Sequence, residues 1–186
     1  ITPSIIFGTV LPVPRQQHSG RKKQSFNFIY LGEDTMSDNN LLLIFGTETG
    51  NAEELAEDAA NMAKGFDLEA TVMDMEDIEP NDISTSKRLI VVCSTWGEGE
   101  QPVNAQDLYD AVEETEEGSM EGVNFAVLAL GDTAFELFCE SGKEWDTILE
   151  EKGGNRVNDR IDCDTDYDDY AEEWLEATLG LMKEIS

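Results

Sequence analysis

Five short apolar runs, each followed by a stretch with helical periodicity, are the feature of this sequence that most restricts its fold. The runs are residues 41–45, 68–73, 89–93, 125–130 and, more weakly, 156–161. Strands that are joined through helices pair in parallel, because a parallel pair needs a long crossover connection. Parallel sheets are covered on both faces, which explains why the runs are almost continuously apolar. The pattern therefore predicts an α/β domain, a five-stranded parallel sheet with helices on both faces.

Helical stripes are clearest after the first run and near the C-terminus. The first stripe, which stops at Gly65, consists of Ala52, Leu55, Ala56, Ala59, Ala60 and Ala63, with Met62 at its edge. The last stripe consists of Tyr170, Ala171, Trp174, Leu175, Leu181, Met182 and Ile185. Another helix is predicted to begin with a capping box from Ser141 to Glu144 and to end at Gly153-Gly154. Each apolar stripe is the face that we expect to pack on the sheet.

Residues 1–35 differ in composition from the rest of the chain. They contain four basic residues, no acidic residue before Glu33, and the closely spaced Pro12 and Pro14. We expect an N-terminal extension that is disordered or non-native, with a targeting role left open. The folded domain is then predicted to span residues 36–186, opening at Met36. The apolar run at residues 5–13 is too short to cross a bilayer, so we expect no membrane insertion.

The charge of the chain restricts its partners. It has 41 acidic and 12 basic residues, for a formal net charge of -29 at pH 7. Nucleic acids and anionic membranes bind basic surfaces, so both are excluded as partners. A basic protein surface suits such a chain, but solubility or life at high salt would explain the same acidity, and both explanations stay open.

The cysteines and the histidine exclude several kinds of chemistry. Cys93, Cys139 and Cys163 form no C-x-x-C pair, and His18 is the only histidine. Neither a disulfide framework, a zinc site nor histidine-based catalysis is therefore indicated, so we expect no catalytic side chain and no metal. A reducing, cytoplasmic setting fits best, with Cys93 as a small core residue.

Ligands of an open parallel sheet bind beyond the carboxyl ends of its strands, so the loops that leave the strands carry the candidate site. After the first run, residues 46–51 read GTETGN, without Lys or Arg. The hydroxyls of Thr47 and Thr49, the amide of Asn51 and the free N–H groups of a helix start are donors in one small volume. They would hold a phosphate without a cation. An ordinary turn capped by Thr or Asn is the alternative.

Two further loops each offer an aromatic side chain. After the third run, Trp96 lies between two hydroxyl residues and two glycines, and after the fourth run the loop at residues 131–139 contains Phe135. A flat ring would stack on such side chains. A glycine-rich turn whose Trp covers the core is the alternative. Taken with the phosphate loop, the two aromatics predict a pocket for a planar heterocycle that carries one phosphate.

These motifs resemble those of flavodoxins. The matching segments are TETGNAE at residues 47–53, STWGEG at 94–99 with Pro102 and Asn104-Ala105 beyond it, LGDT at 130–133, FC at 138–139 and SGK at 141–143. The likeness runs from about residue 41 to the C-terminus. It is closest to the FMN domain of diflavin reductases, above all the flavoprotein subunit of NADPH-sulfite reductase. The resemblance implies FMN as cofactor and a three-layer flavodoxin-like sandwich with strand order 2-1-3-4-5.

The resemblance also implies roles for single residues. Residues 47–52 would hold the FMN phosphate, Trp96 and Phe135 would flank the isoalloxazine ring, and the Gly97 backbone would lie near flavin N5. Asp132 and Asp164 stand where the family has polar contacts, whereas Phe135 replaces the usual Tyr. The full set of candidate FMN-binding residues is Thr47, Glu48, Thr49, Gly50, Asn51, Ala52, Ser94, Thr95, Trp96, Gly97, Glu98, Gly99, Leu130, Gly131, Asp132, Phe135, Phe138, Cys139 and Asp164.

The function that follows from the resemblance is low-potential electron transfer between redox partners. We expect a monomeric electron carrier, not an enzyme on its own, that docks to basic proteins, namely an NADPH-dependent reductase and an electron acceptor. Three alternatives stay open. The chain could be the FMN domain of a longer diflavin reductase, since it lacks the FAD and NADPH modules, or a flavin-dependent NAD(P)H quinone reductase. A signalling receiver fits less well, because receivers need clustered acids and a lysine at the strand ends.

Overall fold

Strands and helices alternate along residues 39–185, the part of the chain that the computed structural model describes. The strands are β1 (Asn40–Gly46), β2 (Glu69–Asp74), β3 (Arg88–Ser94), β4 (Asn124–Leu130), β5 (Asn155–Arg156) and β6 (Ile161–Cys163). The helices are α1 (Asn51–Ala63), α2 (Pro80–Ser84), α3 (Val103–Glu113), α4 (Glu140–Glu151) and α5 (Asp168–Lys183). Two predictions lie outside the described residues: the extension at residues 1–35, which contains His18, and the opening of the domain at Met36.

Every strand pair in this sheet is parallel. The order is β2-β1-β3-β4-β5, with β6 also paired to β4. On the central strand β1, Leu42 pairs with Thr71 of β2 on one side and with Leu89 of β3 on the other. The strand order reverses between β1 and β3, which opens the crevice at the carboxyl edge where ligands bind. The predicted parallel sheet and its order 2-1-3-4-5 are confirmed.

The fifth strand is not the continuous run that the sequence predicts at residues 156–161. Arg156 pairs with Phe125 of β4 and Ile161 pairs with Leu128, so four residues of this segment span two residues of β4. The intervening residues make polar contacts elsewhere: the Asn158 side chain, for example, donates to Thr178 Oγ1 of α5 at 2.9 Å. The two extra residues break the ladder into β5 and β6.

Both faces of the sheet are buried, because side chains alternate along each strand. On β1, Leu43 and Phe45 pack in the core cluster shared with α1 and α5, whereas Ile44 packs in the cluster shared with α3 and α4. The α1 stripe is confirmed, with Ala52, Leu55, Ala56, Ala59 and Ala63 buried. The sheet with its two covering layers is the predicted three-layer sandwich.

The prediction for the last helix is wrong at one position. In α5, Ala171, Leu175 and Met182 are buried as expected, but Leu181 is 44% exposed. The buried positions between Leu175 and Met182 are Thr178 and Leu179. These positions follow the helical repeat of three and four residues, and Leu181 lies about 100° away from Met182 around the helix.

Arg88, the first residue of β3, anchors the C-terminal end of α5. Its side chain is buried, with 1% exposed. The guanidinium donates from Nε to the carbonyl oxygen of Met182 at 2.7 Å and from a second nitrogen to the carbonyl oxygen of Ile185. A cation near the last carbonyls of a helix offsets the negative end of its dipole.

Among residues 39–185 no helix is long and apolar enough to cross a membrane.

Candidate functional site at the carboxyl edge of the sheet

Hydrogen bonds join the loops that leave β1, β3 and β4. Thr95 N donates to Leu130 O at 2.9 Å, and Ser94 Oγ donates to Gly46 O at 3.2 Å. Gly131 N in turn donates to Cys163 O at 2.9 Å, at the end of β6. The structure thus brings together the sequence segments that were predicted to form one site, although they are up to about a hundred residues apart.

The first of these loops, residues 47–52, ends on a helix N-terminus. Gly50 has φ 93, a left-handed conformation that glycine adopts without strain, and α1 begins at the next residue, Asn51. Thr47 Oγ1 accepts a hydrogen bond from Gly50 N at 2.9 Å and holds the turn closed. The N–H groups of the first helical turn have no acceptor within the helix, and the dipole adds partial positive charge. Such a turn binds a phosphate without Lys or Arg.

The Glu48 side chain is hydrogen-bonded to the N-terminus of α3. Its Oε1 accepts a hydrogen bond from Val103 N, at the start of α3, at 2.7 Å. A carboxylate is favoured at a helix N-terminus. The negative charge of Glu48 in the loop after β1 is thereby accommodated, because the positive end of α3 offsets it.

The segment from Trp96 to Glu100 is a tight turn that brings backbone to the surface of the site. Trp96 N donates to Glu100 O at 3.0 Å, and Glu100 N donates to Trp96 O at 2.8 Å. Between them, Gly97 and Gly99 have φ 54 and φ 109. A Cβ on Gly99 would lie 2.7 Å from Leu137 Cδ1, so the loops after β3 and β4 pack directly against each other. A Cβ on Gly97 would clash with the Glu100 carboxylate, so neither glycine has room for a side chain.

Exposed apolar side chains concentrate on these loops. Among residues 39–185 the exposed large hydrophobic side chains are Trp96 (52%), Val103 (79%), Phe135 (57%), Leu137 (46%) and Leu181 (44%). All except Leu181 belong to the segments that follow β3 and β4. Exposed apolar side chains that cluster on adjoining loops are typical of ligand or partner sites. Two exposed aromatics beside a helix N-terminus fit a planar ring that carries a phosphate, so the residues present fit FMN.

The loop after β4 is held by Asp164, which follows β6. Asp164 Oδ2 accepts from Thr133 Oγ1 at 2.5 Å and Oδ1 accepts from Thr133 N at 3.2 Å. Tyr170 OH accepts from the Asp164 N–H at 3.0 Å. The hydrogen bond from the Thr133 hydroxyl, together with those from the Thr165 and Thr133 N–H groups, lowers the pKa of the Asp164 carboxyl below its usual 3.8. Asp164 therefore shapes the loop that presents Phe135.

The remaining candidates on this loop are also placed at the site. Asp132 Oδ1 accepts from Ala134 N at 2.8 Å and fixes the turn in front of Phe135. Phe138 is half-buried, and Cys139 is buried with φ 56 immediately before α4. A Cβ on Gly131 would lie 2.7 Å from Cys139 N, so the chain passes here at close range. These contacts set the loop path from Leu130 to α4.

Gln101, which the sequence analysis missed, ties the loop after β3 to α4. Its Oε1 accepts from Ser141 Oγ at 2.6 Å and from Trp145 Nε1 at 3.1 Å, while its Nε2 donates to Glu144 Oε2 at 2.8 Å. The Gln101 residue is 6% exposed. The sequence alone gives only a weak indication of this role, because Gln101 is a single amide residue between a polar loop and Pro102.

The capping box predicted from Ser141 to Glu144 is wrong. Helix α4 begins at Glu140, and the residue before it, Cys139, is in the left-handed conformation. Ser141 therefore lies inside the helix, where its hydroxyl contacts Gln101 Oε1, and its N–H donates to Thr95 Oγ1 at 3.2 Å. The capping-box motif uses neighbouring residues only, whereas Ser141 bonds to Thr95 and Gln101, which are 46 and 40 residues away in the chain.

The cysteine thiols are unreactive by placement. Burial raises the pKa of Cys93, Cys139 and Cys163 to about 12 in each case. Thiols with so high a pKa stay protonated near neutral pH and make poor nucleophiles and poor metal ligands. Nucleophilic chemistry by these three thiols is therefore disfavoured.

A parallel sheet in this order, with a helix-opening polar loop after β1 and exposed aromatics after β3 and β4, defines a flavodoxin-like flavin-binding protein. The family model described as Flavodoxin matches residues 43–175. The chain belongs to the flavodoxin family. FMN as the cofactor and electron transfer as the function, both expected from the sequence, are confirmed by this membership.

Curated relatives show which flavodoxin-like proteins the chain is similar to. It is 43% identical over 142 residues to the sulfite reductase (NADPH) flavoprotein alpha-component of Bacillus subtilis, covering 76% of this chain and 24% of that protein. The corresponding component of Vibrio parahaemolyticus is 38% identical over 144 residues, covering 77% of this chain and 23% of that protein. This chain thus spans about a quarter of the length of these relatives.

Solved structures of flavodoxins match this chain over nearly their whole length. Oxidised flavodoxin 2 of Bacillus cereus has a TM-score of 0.67 at 28% identity, covering 78% of this chain and 98% of that chain. Oxidised flavodoxin 1 of the same organism has a TM-score of 0.67 at 25% identity, covering 79% of this chain and 99% of that chain. The domain therefore has the extent of a complete flavodoxin fold.

Proposed function

We propose that this protein is a low-potential carrier that takes electrons from an NADPH-dependent reductase and delivers them to an acceptor protein. The observation that carries the proposal is the convergence of a helix N-terminus and two exposed aromatic side chains at one edge of the sheet. That arrangement suits a ligand with a phosphate at one end and a flat ring at the other.

Two groups of residues would hold FMN. The loop at residues 47–52 and the first turn of α1 would bind the phosphate through hydroxyl and backbone donors. Trp96 and Phe135 would pack on the ring, with the glycine backbone at residues 97–99 along its edge. Bound FMN supplies the electron-transfer chemistry, and the protein supplies binding and tuning.

Acidic residues beside the ring would keep its potential low. Glu98, Glu100 and Glu136 are exposed on the loops after β3 and β4, and Asp132 is nearby. Negative charge next to a redox group disfavours the addition of further negative charge. A carrier in such surroundings is a strong reductant when fully reduced.

The same acidic surface would select basic partners. Opposite charges raise the association rate, and weak docking allows each partner to leave quickly. The curated relatives are named as NADPH-dependent sulfite reductase components. These names support an NADPH-dependent flavoprotein as electron donor and an acceptor of the sulfite reductase kind. That the carrier is a monomer in the cytoplasm is part of the proposal.

A second candidate is the FMN module of a longer diflavin reductase. Its support is the 43% identity to a flavoprotein of which this chain matches 24% of the length. Reduction of the bound flavin distinguishes the two candidates, with NADPH as the source of electrons and a separately added reductase that passes them on. Rapid reduction at nanomolar reductase concentration supports a free carrier. Reduction only when a reductase module is fused to the chain supports the second candidate.

The visible spectrum of the purified protein tests the proposal as a whole. We expect a yellow protein that releases FMN on denaturation, in equimolar amount and without FAD, as measured by absorbance and chromatography. Apoprotein should regain the spectrum on addition of FMN. A colourless protein that binds no added FMN would overturn the proposal.

A further inference from the structure

The start of α3 makes two hydrogen bonds to the phosphate loop after β1. Asn104 Oδ1 accepts from Thr47 N at 2.9 Å, and Val103 N donates to Glu48 Oε1 at 2.7 Å. The bonded residues are 57 and 55 positions apart in the chain. Consecutive residues of one loop are thus held by consecutive residues of one helix end.

The Asn104 amide is oriented by a third segment. Its Nδ2 donates to Asp74 Oδ1, on the last residue of β2, at 2.9 Å. An ionised carboxylate only accepts hydrogen bonds, so the NH₂ group must face Asp74 and the amide oxygen is left for the Thr47 N–H. Asp74 Oδ1 also accepts from Glu76 N at 2.9 Å, which fixes the carboxylate.

These contacts shape the loop without using the donors of the first turn of α1. The Thr47 N–H is satisfied by Asn104 and the Gly50 N–H by Thr47 Oγ1. The N–H groups that open α1 have no acceptor within the helix. A loop that is held in place before the phosphate arrives loses less conformational entropy on binding.

The contact of Glu48 also removes an electrostatic conflict. A carboxylate near a phosphate dianion is repulsive, and the sequence supplies no Lys or Arg at residues 46–53 to offset it. At the N-terminus of α3 the Glu48 carboxylate meets the positive end of an 11-residue helix instead.

We propose that Asn104 and Glu48 are positioning residues that preset the phosphate loop and so set the preference for FMN over riboflavin. The inference rests on the proposed placement of the FMN phosphate at residues 47–52. Riboflavin has the same ring and ribityl chain but no phosphate. The ratio of the two dissociation constants therefore isolates what the loop contributes.

Titration of apoprotein with FMN and with riboflavin, followed by flavin fluorescence, tests the proposal. For Asn104→Ala we expect the preference for FMN to fall about tenfold, which is the size of one hydrogen-bonded positioning contact. Gln106→Ala is the matched control, because this amide on α3 donates to Asp110 Oδ1 at 2.7 Å, within its own helix. Its preference should match that of the unaltered protein.

A second pair of variants covers the case in which Asn104→Ala destabilises the apoprotein. Glu48→Gln and Glu48→Ala both remove the charge, but only the amide can still accept the Val103 N–H. We expect Glu48→Gln to prefer FMN about fivefold more strongly than Glu48→Ala. Glu48 is exposed, so neither change threatens the core.

The outcomes separate this inference from the proposed function. If the unaltered protein binds FMN and riboflavin equally, the phosphate is misplaced and the proposed site fails. If it prefers FMN and both Asn104→Ala and Glu48→Ala keep the full preference, the site stands and the positioning role is overturned. A reduced preference in these variants, with equal riboflavin affinity, supports it.

Discussion

Thr133 Oγ1 donates a hydrogen bond of 2.5 Å to Asp164 Oδ2, across 31 residues of sequence. It joins the loop after β4, which presents Phe135, to the turn after β6. The two segments were predicted separately as contributors to the cofactor site, and the contact shows how one supports the other.

This contact gives the first prediction. In Thr133→Val the hydroxyl is lost, so the pKa of Asp164 should rise back toward 3.8, as measured by carboxyl-carbon NMR titration. Because the folded pKa is lowered, the contribution of Asp164 to loop order is present above pH 3.8. It is lost as pH falls through the lowered value.

The affinity of the Thr133→Val variant for FMN should fall severalfold at neutral pH. An unchanged Asp164 titration would contradict the assignment, and Thr147→Val on α4 is the control.

The second prediction concerns Gln101. Gln101→Leu should lower the free energy of unfolding by about 3 kcal/mol, because Ser141 and Trp145 would lose a buried acceptor and Glu144 a donor. Urea denaturation of the apoprotein measures it. Gln106→Leu, which loses only a contact within α3, should change stability by less than about 0.5 kcal/mol. Equal effects of the two changes would show that the buried network is not stabilising.

The third prediction concerns the exposed aromatics. Trp96→Ala and Phe135→Ala should each weaken binding of FMN and riboflavin about tenfold, since stacking is lost for both ligands. Both side chains are more than half exposed, so apoprotein stability should hardly change. Flavin fluorescence gives the affinities and thermal unfolding the stability. Leu181→Ala serves as the control because this exposed side chain lies on α5. Loss of stability without loss of affinity would assign the aromatics to the core.

The fourth prediction separates the phosphate from the ring. Thr49 is exposed at the tip of the loop before α1. Thr49→Ala should weaken FMN about fivefold and leave riboflavin unchanged, because only FMN has the group that a hydroxyl at this position would bind. Thr49→Ser should retain FMN affinity. Equal binding of FMN by Thr49→Ala and the unaltered protein would mean that the phosphate lies elsewhere.

The fifth prediction tests docking. Electron transfer from the reduced protein to cytochrome c, a basic acceptor, should slow by at least about tenfold as ionic strength rises from about 0.05 to 0.5 M. Stopped-flow absorbance measures the rate. Glu98→Lys and Glu136→Lys should slow transfer at low salt, whereas Glu172→Lys, on α5, should not. A rate that is flat in salt would contradict docking through charge.

The sheet was predictable because buried strands such as β3 and β4 have apolar side chains on both faces, a signal that resides in the strand itself. The positions of the candidate loops were also predictable from local sequence. Gly50, Gly97 and Gly99 lie in loops that follow strands, and all three have positive φ. Other features depend on partners far away in the chain. The Ser141 hydroxyl contacts Gln101, 40 residues away, and the Asn158 side chain donates to Thr178 of α5, where the fifth strand is interrupted.

The anchoring of Met182 and Ile185 by Arg88 has a geometric consequence. Arg88 begins the seven-residue strand β3, and the candidate site loop with Trp96 begins where β3 ends, about 20 Å away. Asn40, where β1 begins, lies at the same edge of the sheet as Arg88, the edge formed by the amino ends of the strands. Both ends of the described domain therefore lie at the amino edge of the sheet, opposite the loops that carry the candidate site.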